Sequence, residues 1–235
     1  MAAPRILMVA TSHAVMGDTG KPTGLWLEEL AVPSMHFADA GAEVMVASIH
    51  GGKIPVDRRS IPPSGPEAPV VERFLADPTR ARTLEQSVSI ESVDATRFDA
   101  VFLPGGHGTM FDFPVSLALA SAVSRAWTSG RVVAAVCHGP AGLVRAVDSD
   151  RRPIVAGRRV TAFTNAEEEA VGLAKAVPFL LQTRLESLGA RVETAPNFQA
   201  FAIADGRLVT GQNPASARKA ADLTLMAIAN VRERF

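Results

Sequence analysis

Short apolar runs that alternate with longer amphipathic stretches are the feature that most constrains the fold of this chain. The pattern predicts strands over residues 5–11, 43–48, 99–103 and 131–136. It predicts helices over residues 23–40, 70–87 and 115–129. A short, continuous apolar run is typical of a strand that is buried on both faces. Because strands joined by helices run parallel, the sequence predicts an α/β fold, a three-layer sandwich with a mostly parallel central sheet.

The second half of the chain continues the alternation with shorter elements. We expect strands over residues 158–163, 191–195, 200–204 and 208–210, a largely helical stretch over residues 167–189 and a closing amphipathic helix over residues 215–231. Pro33 lies inside the first helical stretch and predicts a kink or a break there. No internal repeat or low-complexity linker divides the sequence, so we expect a single domain over residues 1–235.

Residues 51–69 interrupt the alternation with a segment rich in proline and glycine. A turn-rich connection of this length is unusual in a compact domain. Such a segment either covers a site or forms a plain surface loop, and the sequence leaves both interpretations open. We therefore expect a lid-like insertion around residues 51–95.

Composition excludes several classes of protein. Lys and Arg number 24 and Asp and Glu number 24, so the formal net charge is zero, which argues against a nucleic-acid-binding arm or a polybasic membrane patch. Apolar residues make up 47% of the chain, which excludes general disorder. We see neither a signal sequence nor an apolar stretch near the ~18 residues of a membrane span. The single cysteine excludes an intrachain disulfide and is typical of a reducing compartment, so we expect a cytoplasmic protein.

The sharpest candidate site follows the predicted strand 131–136, where Cys137 and His138 precede Gly139 and Pro140. Sites in parallel sheets lie at the carboxyl ends of the strands. A sharp turn from strand to helix presents a nucleophile, and the helix dipole at such a turn lowers the pKa of a thiol. An inert buried cysteine is the alternative, but the turn and the adjacent histidine favour a reactive thiol.

A glycine-rich turn follows the predicted strand 99–103 and contains Gly105, Gly106 and His107. Glycines let the backbone approach a ligand closely, and backbone N–H groups at such a turn can form part of an oxyanion hole. The N–H groups of Gly106 and His138 are the candidates, with Gly105 and His107 as substrate-binding neighbours. A turn that only reverses the chain is the alternative.

Two acidic clusters could supply acid–base chemistry. Glu28 and Glu29 are adjacent in an apolar helical stretch, so their side chains point about 100° apart and one can face inward. An inward carboxylate beside a thiol would have a raised pKa and could move protons. Glu167, Glu168 and Glu169 begin another helix, where the dipole favours acids, but one of them could instead orient a histidine.

Taken together, these motifs resemble the ThiJ/PfpI superfamily, which has a flavodoxin-like fold similar to that of class I glutamine amidotransferases. The resemblance spans nearly the whole sequence, and the segments that carry it are residues 23–29, 106–114, 134–141 and 205–216. These segments are similar to the heat-shock chaperone and glyoxalase III branch of the family.

The resemblance implies a role for four side chains. Cys137 matches the nucleophile, His138 the triad histidine, and Glu29 the acid that hydrogen-bonds the cysteine sulfur. Glu168 matches the third acid, although the run of three glutamates leaves this assignment uncertain by one residue. The resemblance implies no cofactor, and we cannot place from the sequence the two-histidine, one-carboxylate metal site that some relatives carry.

The activity implied by the resemblance is that of a glutathione-independent glyoxalase, a lyase of the D-lactate dehydratase type that converts methylglyoxal and water to lactate. A small neutral dicarbonyl substrate agrees with the zero net charge. Family resemblance also implies a homodimer, and we expect neither a nucleic-acid nor a membrane partner. Three other interpretations stay open: a small-molecule or peptide hydrolase, a stress chaperone and a cysteine redox sensor.

Overall fold

Strands and helices alternate along residues 2–61 and 63–233, which are the residues that the computed structural model describes. The strands are β1 (Arg5–Ala10), β2 (Glu43–Ser48), β3 (Val88–Ser89), β4 (Ala100–Leu103), β5 (Val132–Val136), β6 (Arg159–Val160), β7 (Arg191–Val192), β8 (Ala202–Asp205) and β9 (Leu208–Gly211). The α-helices are α1 (Leu27–Asp39), α2 (Ala68–Ala76), α3 (Pro78–Glu85), α4 (Thr109–Asp112), α5 (Leu117–Thr128), α6 (Asn165–Ala170), α7 (Leu181–Ser187) and α8 (Ala217–Arg232).

The central sheet has the strand order β3-β2-β1-β4-β5-β9-β8. Its neighbouring strands run parallel except for the antiparallel pair of β8 and β9 at one edge. In the middle of the sheet, Leu7 of β1 pairs with Met45 on one side and with Val101 on the other. Strands β6 and β7 form a separate two-stranded parallel sheet. The predicted α/β class and the mostly parallel sheet are confirmed.

Helices cover both faces of the sheet, and the side chains of β1 alternate between the two layers. Ile6 and Met8 belong to the apolar core that includes residues of α1 and α8, whereas Leu7 and Val9 belong to the core on the α5 side. These four side chains are fully buried, and burial of each contributes about 1.5–3 kcal/mol to folding. Among the described helices, none has both the length and the apolar character needed to cross a membrane.

The first helix begins later than predicted, at Leu27 instead of residue 23. The reason is that the preceding residues pair with the insertion: the N–H of Leu25 donates to the carbonyl oxygen of Pro55 at 2.8 Å, and the N–H of Asp57 donates to the carbonyl oxygen of Leu25 at 2.9 Å. The helix then continues through Pro33 without a break, so of the predicted kink or break only a kink stays a prediction.

Three other predicted elements are shorter or divided in the structure. A 3₁₀ helix, Gly139–Leu143, follows the cysteine in place of the predicted helix. The stretch over residues 167–189 divides into α6 and α7, and the predicted strand over residues 158–163 is reduced to β6.

The insertion around residues 51–95 does more than cover a surface. Its helix α2 packs on α1 and its helix α3 packs on α2. The segment before these helices is bound to the start of α1, where the hydroxyl of Ser60 accepts the N–H of Leu27 at 3.2 Å. The insertion is therefore attached to the element that carries Glu29.

Candidate active site

Cys137 stands at a sharp turn directly after β5. Its φ angle is +59°, in the left-handed region, which costs a residue other than glycine about 1–3 kcal/mol and is common at functional sites. Backbone hydrogen bonds of 2.9 Å hold the turn, from the N–H of Cys137 to Gly211 and from the N–H of Phe163 to the carbonyl oxygen of Cys137. The turn therefore has the backbone form expected of a nucleophile elbow.

The Cys137 thiol is buried, with 3% of the residue exposed. Burial raises the pKa of the thiol well above its usual range, and the neighbouring Glu29 raises it further. The backbone N–H groups of Gly106 and His138, which were predicted to form the oxyanion hole, act on the sulfur in the opposite direction and lower the pKa of the thiol. The prediction that a helix dipole lowers this pKa is wrong, because the element that follows is a five-residue 3₁₀ helix and burial dominates.

Glu29 lies in the first turn of α1 and is fully buried. Its Oε2 accepts the backbone N–H of Gly105 at 2.7 Å. Burial raises the pKa of Glu29 to about 8, although the bond from Gly105 opposes this increase. Glu28 is only partly buried. As predicted, one carboxyl of the pair faces inward and has a raised pKa.

The Glu29 carboxyl and the Cys137 thiol are close enough that each shifts the pKa of the other. Glu29 raises the pKa of Cys137, yet its Oε1 has no hydrogen-bond partner among the described residues. A hydrogen bond between this carboxyl and the sulfur, which the resemblance implies, lowers the pKa of Glu29 and raises that of the thiol, and its geometry stays a prediction. Oε1 of Glu29 is thus a buried oxygen beside the Cys137 sulfur, with no other hydrogen-bond partner among the described residues.

His138 connects the thiol to Glu168. Its Nδ1 lies 3.2 Å from the Cys137 sulfur, and its Nε2 lies 2.7 Å from Oε2 of Glu168. Burial alone would raise the pKa of Glu168, but hydrogen bonds with His107 and His138 outweigh it and hold the pKa at about 2. The carboxylate is therefore ionised at neutral pH.

His107 shares the same carboxylate. Its Nε2 lies 2.9 Å from Oε1 of Glu168, and its Nδ1 lies 3.2 Å from Nη2 of Arg59. Burial lowers the pKa of His107 to about 4, and repulsion by His138 contributes. Both ring nitrogens are occupied, so the His107 side chain belongs to the Glu168 network, and its predicted contact with substrate stays a prediction.

The three adjacent glutamates have different surroundings. Glu168 is the one in contact with the histidines. Glu167 forms a capping box with Thr164 and also accepts the side-chain amides of Gln212 and Asn213. Glu169 is exposed. The geometry therefore supports Glu168 as the acid that orients His138.

The glycine-rich turn after β4 packs tightly against the start of α1. Gly106 has a φ angle of +100°, and a Cβ there would collide with the backbone of Gly24. A Cβ on Gly105 would lie 2.6 Å from the backbone nitrogen of His138. The absence of side chains lets this turn reach both α1 and the cysteine turn. The N–H of Gly105 is used by Glu29, so its predicted contact with substrate also stays a prediction.

Three residues next to the network were not singled out from the sequence. Asp57 and Arg59 lie in the insertion, and Arg59 contacts His107. Phe163 packs its ring 4.4 Å from that of His138. Nothing in the sequence distinguishes Arg59 from the adjacent Arg58, because only the fold brings it to the histidine.

His107, His138 and Glu168 are also a candidate ligand set for a metal ion, with ligand atoms within 4.8 Å of one another. Two ligands of a tetrahedral Zn²⁺ at about 2.0–2.1 Å would lie about 3.3 Å apart. The N···O distances here are 2.7 and 2.9 Å, which are hydrogen-bond lengths. In this arrangement the three side chains bind one another, and an ion would have to break both bonds.

A mostly parallel α/β sandwich with a cysteine, a histidine and two buried carboxyls at the strand ends defines the class of this protein. Residues 24–226 match the model of the DJ-1/PfpI family. The chain belongs to this family, as the sequence motifs indicate.

Similar proteins have been named in several organisms. The chain is 34% identical to the probable glutathione-independent glyoxalase hsp3103 of Schizosaccharomyces pombe, over 88% of this chain and 90% of that protein. It is 32% identical to the glutathione-independent glyoxalase HSP31 of Saccharomyces cerevisiae, over 98% and 100%. The crystal structure of glyoxalase III from Candida albicans is 28% identical and superimposes with a TM-score of 0.84, over 95% of this chain and 97% of that one.

Proposed function

We propose that this protein is a glutathione-independent glyoxalase that converts methylglyoxal and water to lactate. The observation that carries the proposal is the position of Cys137, between the unpartnered oxygen of Glu29 and the His138–Glu168 pair. The names of the similar yeast proteins support the choice of substrate.

The first step is attack by sulfur on the aldehyde carbon. The S–C bond forms while the thiol proton passes to Nδ1 of His138, which lies 3.2 Å from the sulfur. The ionised Glu168 then stabilises the imidazolium through its bond to Nε2. The N–H groups of Gly106 and His138 face the sulfur and are suited to hold the developing oxyanion.

Glu29 is suited to move the proton between the two carbons of the substrate. Its pKa of about 8 lies near the working pH, which is where a group serves best as both base and acid. In its ionised form it removes the C1 proton of the hemithioacetal to give an enediolate. It then returns this proton to C2, while the proton of the C1 hydroxyl passes to the C2 oxygen. The product is a thioester of lactate on Cys137.

Water then hydrolyses the thioester and releases lactate and the thiol. The net reaction adds one water to methylglyoxal and needs no redox partner, so the enzyme would be classed as a lyase of the D-lactate dehydratase type. A homodimer, by family resemblance, and a cytoplasmic location, which the single cysteine favours, complete the proposal.

The test is turnover by the purified protein without glutathione. We expect consumption of methylglyoxal with lactate as product, and no comparable turnover of amide or peptide substrates. Preferential cleavage of amides or peptides would favour the hydrolase alternative. A redox sensor would show selective oxidation of Cys137 by peroxide, whereas a holdase activity would persist in Cys137→Ala.

A further inference from the structure

Arg59, in the insertion, contacts the ring of His107. Its Nη2 lies 3.2 Å from Nδ1 of His107. A guanidinium group has only donors, so Nδ1 must accept this hydrogen bond and must itself be unprotonated. The neutral ring then holds its proton on Nε2.

The proton on Nε2 fixes the next contact in the network. The N–H of His107 donates to Oε1 of Glu168 at 2.9 Å, and this leaves Oε2 for His138 at 2.7 Å. We propose that Arg59 is a positioning residue: by donating to His107, it orients Glu168 so that the carboxylate can hold His138 beside the cysteine. The kinetic consequence rests on the proposed glyoxalase function, whereas the tautomer of His107 does not.

Arg59 is itself held in a fixed geometry. Asp57 accepts Nε of Arg59 at 3.0 Å and Nη2 at 2.7 Å, each on a different oxygen. The Asp57 side chain is only 1% exposed and also accepts the Thr23 hydroxyl at 3.0 Å. A guanidinium bound by both arms of a buried carboxylate is preorganised, so the donor to His107 is in place before substrate arrives.

Loss of Arg59 should release the whole chain of contacts. If the proton moved to Nδ1 of His107, the lone pair on Nε2 would face the carboxylate, and Glu168 would turn away from it. His138 would then lose its fixed orientation. Because His107 and Glu168 act here through His138 and not on substrate binding, we expect kcat to fall more than KM changes.

The test combines histidine tautomers with kinetics in the full-length protein. Long-range ¹H–¹⁵N correlation spectra of the protein with labelled histidine report the protonated nitrogen of each ring, and His107→Gln assigns the His107 signals. The variants are Arg59→Met, Arg59→Lys, which keeps a donor and its charge, and Arg58→Met, a matched change at the exposed neighbouring arginine.

We expect the wild type and Arg58→Met to show the Nε2–H form of His107. In Arg59→Met this form should be lost or mixed, with kcat for methylglyoxal lowered about 10–100-fold and KM changed little; Arg59→Lys should recover part of both. An unchanged Nε2–H form in Arg59→Met, or a rise in KM alone, would overturn the proposal.

If the wild type fails to turn over methylglyoxal, the proposed function fails, and the spectra still decide the role of Arg59. If Arg59→Met does not fold, the spectra and kinetics of Arg59→Lys test the role of Arg59. Unchanged histidine signals together with an unchanged kcat in Arg59→Lys would contradict positioning by this bidentate guanidinium.

Discussion

Glu29 accepts the backbone N–H of Gly105 at 2.7 Å, in a buried hydrogen bond between residues 76 positions apart. The bond joins the first turn of α1 to the glycine-rich turn after β4. It also fixes the carboxyl so that its second oxygen, which has no hydrogen-bond partner among the described residues, remains beside the thiol. Burial raises the pKa of Glu29 even though this bond opposes the increase, and the bond keeps the carboxyl within reach of the reacting atoms in the proposed mechanism.

Glu29→Gln should abolish most of the activity while it preserves the fold. The amide oxygen can still accept the N–H of Gly105, but the side chain can no longer take a proton. Loss of a general acid–base typically costs about 10²–10⁴-fold, and we expect a decrease in kcat for methylglyoxal of that size. An active Glu29→Gln variant would mean that another group moves the C1 proton.

Two buried groups have opposite effects on stability: His107, whose pKa is lowered to about 4 by burial, adds stability as the pH rises to 6.5, and Glu29 removes stability between pH 4.5 and 8. The pKa of Glu29 rises from an ordinary value of 4.5 to about 8 on folding, so the folded state binds the proton more tightly. This contribution is complete below pH 4.5 and is lost as the pH rises through 8. Glu28, whose pKa is raised to about 7 by burial, acts with the same sign.

The measurement is the free energy of unfolding in urea at a series of pH values. The wild type should lose stability relative to Glu29→Gln as the pH rises, by an amount on the order of a few kcal/mol across this range. Glu91→Gln, at an exposed glutamate, is the matched control and should follow the wild type. Parallel curves for wild type and Glu29→Gln would show that the Glu29 pKa is not raised.

Glu168→Gln should lower kcat strongly, whereas Glu169→Gln should not. The amide would present an N–H₂ group where one of the two histidines donates, and it would remove the charge that stabilises the His138 imidazolium. By comparison with the carboxylate of a catalytic triad, we expect a loss of about 10²–10⁴-fold. Glu169 is exposed and adjacent, so equal losses in the two variants would contradict the assignment of Glu168.

Glu167→Ala should destabilise the fold. Oε1 of Glu167 accepts hydrogen bonds from the backbone N–H of Phe198 and from the side chains of Gln212 and Asn213. Removing the carboxylate leaves buried donors without this acceptor, which costs about 2–4 kcal/mol. The midpoint of urea unfolding should decrease accordingly, and Glu169→Ala should stay within about 0.5 kcal/mol of the wild type. A small effect in Glu167→Ala would show that water replaces these bonds.

The sequence predicts the fold and the core of the site well, because both depend on local patterns. Alternating apolar runs indicate the parallel sheet, and the turn after each strand identifies Cys137 and the glycines of the turn after β4. Helical geometry predicts that one of the adjacent Glu28 and Glu29 faces inward, and the family resemblance selects Glu29. These features can be predicted from the spacing of apolar residues along the sequence and from the rule that sites lie at the carboxyl ends of parallel strands.

The missed features depend on contacts between distant segments. The start of α1 is delayed because Leu25 pairs with Pro55, and no local pattern reports such a pairing. Arg59 reaches His107 from a proline-rich insertion 48 positions away. The raised pKa of Cys137 reflects burial and the nearby Glu29, whereas local reasoning considered only the helix that was expected to follow.

The central claim is that the sulfur of Cys137 forms a covalent bond with the substrate. The most direct test compares lactate formation from methylglyoxal, without glutathione, by the wild type and by Cys137→Ala, with the intact mass of each protein recorded during turnover. We predict lactate and a transient mass increase equal to one methylglyoxal in the wild type, and neither in Cys137→Ala. Lactate formation by Cys137→Ala at the wild-type rate would contradict the claim.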